Sequence, residues 1–309
     1  GTNPRQSDSK EVKIMSEGFN IYKAMATIDR RIIYLLVFIL VLGPVMSPIG
    51  LPIATTEDTR LYNSYLQDLD ENDIVWSAWE TGFSGFNELK PGIVATYREV
   101  IKSGAKMVIA FGTTEEYAVY QLVMGDPDSG LRGLLTSVME EYDYNYGEDY
   151  VCLGYVLVNE ASTSALANNL HDVAATDNWG NSLDDTFYAD LNDAGDFDLI
   201  IDFSTGMQTV PMINHWVMDF DVPMIEGAIG VNIPSLTPYL DTGHLKAMLQ
   251  STKGCAELEY LTGNPGSGMT SMDSFTLVHF MLILFIIIGN IGYFAWEKNS
   301  VERARTSIQ

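Results

Sequence analysis

The residues equipped to do chemistry recur at one kind of place, at or just beyond the ends of short apolar runs. Ser77 and Glu80 close the first run, and Thr113, Thr114 and Glu115 follow the second. Asn159 and Glu160 follow the third, Ser204, Thr205 and Gly206 the fourth, and Glu226 with Gly227 belong to the fifth. If the runs are parallel strands, these are the ends where loops converge and helix amino termini point inward. Small hydroxyls and glycine there can donate to an anion or a polar small molecule. The same residue types are also the preferred helix caps, which is the competing account of each Ser, Thr and Asn. Glu226 stands apart, because a carboxylate inside an apolar run is costly unless paired. It either meets a ligand cation or is the last, solvated residue of its strand. The expected ligand-binding set is Ser77, Thr113, Thr114, Glu115, Asn159, Ser204, Thr205 and Glu226.

No established catalytic pattern accompanies these residues. The chain has no glycine-rich phosphate loop ending in Lys-Ser/Thr, no G-x-G-x-x-G after the first run and no G-x-S-x-G elbow. His171, His215 and His244 are far apart and form no zinc pattern. Asp126-Pro-Asp128-Ser-Gly130 begins like a calcium loop but lacks the next Asp or Asn, and Ser137 falls where the bidentate Glu belongs. The carboxylate-rich stretch 177–198 reads as a solvated acidic loop. No catalytic residue, metal or cofactor is expected. Cys152 and Cys255 are too few for a disulfide scaffold; they read either as buried thiols or, outside the cytoplasm, as one pair.

The elements that must position the set alternate. Strands are expected at 73–79, 106–111, 150–158, 198–203, 223–229 and 245–249. Helices are expected at 90–103, with Pro91 near its start, after the capping box Thr113/Glu116, at 131–142, from 162, at 210–218 and at 254–261. Short apolar strands alternating with helices predict an α/β domain, a doubly wound, mainly parallel sheet covered on both faces.

Two apolar stretches flank that domain. Residues 275–296 carry no Asp, Glu, Lys or Arg, with Tyr293 and Trp296 placed as an aromatic belt. At ~1.5 Å per residue such a run spans a ~30 Å hydrocarbon core. Residues 32–53 are apolar with prolines at 44, 48 and 52, and read as an uncleaved anchor rather than a signal peptide. Basic residues Lys23, Arg30 and Arg31 precede the first stretch and Lys298, Arg303 and Arg305 follow the second. Both termini are therefore expected in the cytoplasm, with the middle region outside the cell membrane. The expected layout is a tail and amphipathic helix at 1–31, spans at 32–53 and 275–296, an extracytoplasmic domain at 54–263, a flexible linker at 264–274 and a tail at 297–309. In the second span Gly289, Asn290 and Gly292 form an expected helix-packing face.

The chain's net charge of −24 is concentrated in residues 49–273, where 35 acidic residues meet 8 basic ones. Such a surface repels nucleic acid and anionic lipid and suits a basic partner, a cation-rich exterior or a high-salt habitat.

The segment VPMIEGAIGVNIPSLTPYLDTGHLKAMLQSTKGCAELEYLTG from Val222, with EEYDYNYGEDYVCLGY from Glu140, resembles a group of uncharacterised two-span membrane proteins with a K-G-A-A-E-Y-E-like carboxyl-terminal stretch. More distantly, the alternation of strands and helices is similar to type I periplasmic-binding-protein domains. The first resemblance implies no activity and the second implies a fold alone. The function expected from these readings is a membrane-anchored assembly subunit that contacts other membrane-protein subunits or copies of itself. The alternative is a sensor ectodomain for a small polar ligand, with a membrane-tethered enzyme third.

Overall fold

The computed structural model describes residues 21–206 and 208–306, with side chains described as far as Lys298 in the last helix. The chain divides into two compact units, Gly50–Met272 and the terminal segments through Ile49 and from Asp273.

Gly50–Met272 is an α/β unit. Its six longer strands are β1 (Ile74–Glu80), β2 (Lys106–Phe111), β5 (Tyr150–Tyr155), β6 (Leu199–Ser204), β7 (Met224–Ala228) and β8 (Ala247–Gln250), and every pairing among them is parallel. Two short strands, β3 (Gly125–Asp126) and β4 (Leu131–Arg132), make a separate antiparallel hairpin. The sheet order is β5-β2-β1-β6-β7-β8, so the chain winds outward from β1 on one side and then returns to wind outward on the other.

The two-residue strand period sorts side chains onto two buried faces. Val75, Trp79, Met107, Ile109, Ile201, Phe203, Ile225 and Leu249 pack with residues of helices Glu57–Gln67, Phe83–Ser103, Thr114–Met124 and Ser251–Leu261. Trp76, Ala78, Val108, Ala110, Ile200, Met224, Ala228 and Met248 pack on the opposite side with Leu166, Met212, Trp216 and Leu236. Burial on both faces is why the strands read as continuous apolar runs. Cys152 and Cys255 both lie in the first core as free thiols, so no disulfide joins them, and burial pushes each up to about 12.

Several boundaries differ from the sequence reading. The helix expected at 90–103 is Phe83–Ser103, with Pro91 in its interior. Of the helix expected at 131–142 only Thr136–Glu141 is helical. Asp126 Oδ1 accepts from Asp128 N and Ser129 N at 3.0 and 3.3 Å, closing a turn that sends residues 131–132 back as β4. Strand β5 stops at Tyr155, three residues early. The helix at 209–220 carries a π turn at Ile213–Val217. The linker expected at 264–274 is helical from Ser267, because Glu259 caps it with bonds from Gly266 N, Gly268 N and Met269 N at 3.1, 3.3 and 2.8 Å.

In the terminal unit, the long helix Ser267–Thr306 contains the one stretch among the described residues that is long and apolar enough to cross a membrane, Ser267–Lys298. The span expected at 32–53 is a helix only over Arg30–Met46, 17 residues or about 25 Å. It ends before Pro48, since the residue preceding proline is driven from the helical region. Of the tail and amphipathic helix expected at 1–31, residues up to 20 lie outside the described residues, and Ile21–Ala26 is helical. Asp29 then starts the next helix by accepting from Arg31 N at 2.9 Å. Ile49 N donates to Asp273 Oδ2 at 3.0 Å and Ser274 Oγ to the Val41 carbonyl at 3.2 Å. A Cβ on Gly292 would lie 2.7 Å from Met25 Cβ and from Ala26 N, so this glycine permits a close helix approach. Gly289 has open space beside it, and Asn290 Nδ2 donates to the Ile286 carbonyl of its own helix at 2.9 Å. The expected packing face thus reduces to Gly292, set against residues 25–26.

Candidate functional site

Strand order reverses between β1 and β6, and in open α/β sheets ligands gather outside the carboxyl ends at such a reversal. Here the chain's own loops are bonded across the crevice. Thr205 N donates to the Glu80 carbonyl at 3.0 Å, Thr205 Oγ1 accepts from Gly82 N at 3.1 Å, and Thr81 Oγ1 donates to the Phe203 carbonyl at 2.6 Å. Asn232 Nδ2 donates to the Gly206 carbonyl at 2.7 Å. Gly85, in the first turn of the following helix, must lack a side chain because a Cβ there would collide with Thr205 Cγ2.

The eight predicted residues do not form one open pocket. Ser77 points to the other face, donating to Tyr97 Oη at 2.7 Å and accepting from Trp79 Nε1 at 2.8 Å. Thr113 is half of a capping box: its Oγ1 accepts from Glu116 N, while Glu116 Oε2 accepts from Gly112 N and Thr113 N at 2.6 and 2.9 Å. Asn159 caps its helix by accepting from Ala161 N and Ser162 N, both at 3.0 Å. Ser204 is buried and accepts from Gly206 N at 3.1 Å. Thr205 ties β6 to β1. Thr114 and Glu115 remain exposed at the rim. Capping and loop closure therefore account for most of the hydroxyls and amides in the set.

Glu226 behaves differently. It is neither solvated nor at the strand end: it is 0% exposed, and it pairs in register with Asp202 on β6, also 0% exposed. Glu80, at the end of β1, is 2% exposed and shares the same face by the strand period. Thr209 Oγ1 lies 3.0 Å from Asp202 Oδ2 and 3.1 Å from Glu226 Oε1. One hydroxyl carries one proton, so it is shared between the two acids unless one carboxyl is itself protonated and donates back. Asp202 Oδ1, Glu226 Oε2 and both Glu80 oxygens are buried without a partner, and none of the three acids is in an ion pair among the described residues. Burial pushes the Asp202 carboxyl up to about 7. Burial, then the charge of Asp202, raises Glu226 well above the carboxylate range, and Glu80 is raised by burial and by Asp202, Glu116 and Glu226. A cavity of about 20 Å³ beside Glu80, between Trp76, Val156, Thr163 and Met212, has room for about one water.

Asp202 and Thr209 were absent from the sequence-predicted set. The signal for Asp202 was the one that marked Glu226, a carboxylate inside the apolar run DLIIDF. Nothing local marks Thr209, which the helix after β6 brings over the sheet.

Chemically, burial favours the neutral form of all three carboxyls. Among the described residues no group of three or more His, Cys, Asp or Glu is arranged to hold a metal. The calcium-like start at Asp126 is a structural turn whose carboxylate also accepts from Gln121 Nε2 at 2.8 Å. A dinucleotide is disfavoured at the crevice as well. Glu80-Thr81-Gly82-Phe83-Ser84-Gly85 puts an acid where the phosphate-binding fingerprint has its first glycine. The Glu115 carboxylate lies 3.0 Å from where a Cβ on Gly82 would stand, so negative charge already lies beside the start of the helix.

The rim also exposes large apolar side chains. Phe83 after β1, Tyr155 at the end of β5, Leu157 beyond it and Val231 after β7 are 55, 53, 65 and 80% exposed. In a parallel sheet all four lie at the carboxyl edge, and β5 to β7 covers four strand spacings, ~19 Å. Compared with known proteins, the chain matches no family model, no curated protein and no solved structure.

Proposed function

We propose that this chain is a membrane-anchored assembly subunit whose α/β domain docks a protein partner on the carboxyl edge of its sheet. The observation that carries the reading is the exchange of roles at that edge. The groups that would hold a small ligand are bonded within the fold, while Phe83, Tyr155, Leu157 and Val231 stand in solvent. Apolar side chains grouped at one edge and rimmed by polar ones are the composition of a protein interface. With 35 acidic and 8 basic residues in 49–273, a second copy of the domain brings like charge to the contact. A different subunit with an apolar centre and a basic rim fits better. In this reading Arg30–Met46 and Ser267–Lys298 are the two legs of the anchor, both termini are cytoplasmic and the domain is extracytoplasmic. The small-ligand reading of the same edge has weaker support, since of the exposed members of the predicted set Thr113 is engaged as a helix cap, leaving Thr114 and Glu115.

The test is extraction of the full chain in mild detergent from its own membrane. The wild type is expected in a particle larger than the 34.3 kDa chain, with a partner retained. Leu157→Glu/Val231→Glu, which changes two exposed positions, is expected to release the chain alone with its thermal unfolding unchanged. A particle of the same size and composition from the double variant would refute the proposal.

A further inference from the structure

In residues 50–272, 34 acidic residues surround 8 basic ones, so a cation there has ready access to an ion pair. Six of the eight have partners. Arg60 bonds Thr55, Lys102 pairs with Glu99, and Arg132 pairs with Glu140. Lys246 bonds the Gly243 carbonyl, Lys253 pairs with Glu257, and Lys106 lies 5.3 Å from the Phe187 ring centroid. Lys90 and Arg98 are the exceptions. Among the described residues neither side chain makes a hydrogen bond or an ion pair, both residues are half-buried, and both line one cavity of about 300 Å³.

Apolar side chains and one acid line the cavity around them. The two cations are eight residues apart on the helix Phe83–Ser103, ~12 Å along its axis, and Val94, Leu134 and Pro265 form apolar wall between and opposite them. The acid that lines the cavity, Glu259, is buried and accepts from three backbone N–H groups at the start of the next helix. It feels the charge of Arg98 without pairing with it. With all three groups ionised the cavity carries one net positive charge inside a domain that is otherwise strongly negative.

We infer that this cavity binds a phosphate-bearing anion between the Lys90 ammonium and the Arg98 guanidinium. The planar guanidinium matches two phosphate oxygens at once and the ammonium supplies a second point charge, while the apolar wall seats the carbon portion of the ligand. Two sources share this chemistry, a soluble phosphate ester and a phospholipid headgroup. Ser267, in the cavity lining, begins the helix whose uncharged stretch opens at Phe275, about two turns later.

The experiment uses the full chain in phosphatidylcholine nanodiscs and reads thermal unfolding by tryptophan fluorescence. One arm titrates pyrophosphate; the other replaces part of the phosphatidylcholine with phosphatidylglycerol. The wild type is expected to be stabilised in at least one arm, with apparent affinity falling about tenfold for each cation removed in Lys90→Gln and Arg98→Gln. Leu134→Glu, at a wall position 43% exposed, leaves both cations in place and adds a repelling carboxylate; it is expected to lose the effect too. Lys246→Gln is expected to keep it. Stabilisation by pyrophosphate alone assigns the site to a soluble ester, by phosphatidylglycerol alone to a headgroup, and by both to their shared chemistry. No stabilisation in either arm, equal stabilisation in Lys90→Gln/Arg98→Gln, or equal loss in Lys246→Gln would overturn the inference.

Discussion

Replacing Asp202 by Asn fixes one member of the buried trio in a neutral form of nearly the same shape. In the wild type, burial moves this carboxyl from its ordinary 3.8 to about 7. A folded-state value above the unfolded one means the folded chain holds a proton that the unfolded chain releases. The stability so contributed is complete below about pH 4, declines as pH rises and is gone above about pH 7. At ~1.4 kcal/mol per pH unit the gap amounts to about 4 kcal/mol, an upper bound because relaxation and water entry soften burial. Glu80 and Glu226, raised in the same direction, extend the decline to higher pH. The substituted amide does not titrate, so the variant escapes its share. Asp202→Asn is expected to exceed the wild type by a margin that grows from pH 5 to pH 8, reaching roughly 10 °C in unfolding temperature at the upper bound for a domain of this size. The assay is thermal unfolding of the full chain in detergent from pH 5 to 8.5. Trp76 and Trp216, in the core on that face, report it by fluorescence. The general repulsion of a −24 chain also grows with pH but acts on both proteins, so the difference between them isolates the trio. A difference that stays constant from pH 5 to 8.5, or a variant less stable than wild type at pH 8, would refute the proton bookkeeping.

Two further changes probe local structure. Gly292→Leu is expected to disrupt the approach of residues 25–26 to the long helix, seen as loss of a disulfide cross-link engineered across that contact, whereas Gly289→Leu, with open space beside it, keeps the cross-link. Thr113→Ala removes one half of the capping box while Glu116 keeps its bonds to Gly112 N and Thr113 N. It should cost about 1 kcal/mol in denaturant unfolding, and a loss well above 2 kcal/mol would mean that Thr113 does more than cap.

The sheet was legible because covering both faces makes each strand a continuous apolar run, as in MVIAF and LIIDF. Local chemistry also identified the Thr113/Glu116 box. The misreadings have tertiary causes. Pro91 suggested a helix start, yet the helix begins at Phe83 after Gly82, an N-cap with no side-chain bond, and so leaves no polar signature. The Gly- and Ser-rich stretch after Asn264 suggested a linker because its capping acid, Glu259, belongs to the preceding helix. Both Asp202 and Glu226 were visible as acids in apolar runs. That they face each other depends on strand order, which no local pattern encodes.

Strand order also explains why the loops at this edge bond to each other across the reversal while apolar side chains of the rim stay exposed. At the reversal between β1 and β6 the two crossovers leave in opposite directions, and neither helix covers the gap. Here Thr205 and Thr81 bond across it, Gly85 lets the next helix approach Thr205, and the buried acids lie on one face of the strands that meet there. Had those acids been ionised, the crevice would attract cations and water and would tend to open. In their neutral form, which burial favours for Asp202 up to about pH 7, they draw in less water, and a rigid edge is what the proposed docking needs to avoid an ordering cost on binding. The pH that ionises Asp202 should therefore weaken partner retention by the same subunit as it lowers stability, and retention in Asp202→Asn should be the less sensitive to pH. If retention falls identically in the two proteins between pH 6 and pH 8, the trio and the docking edge are independent.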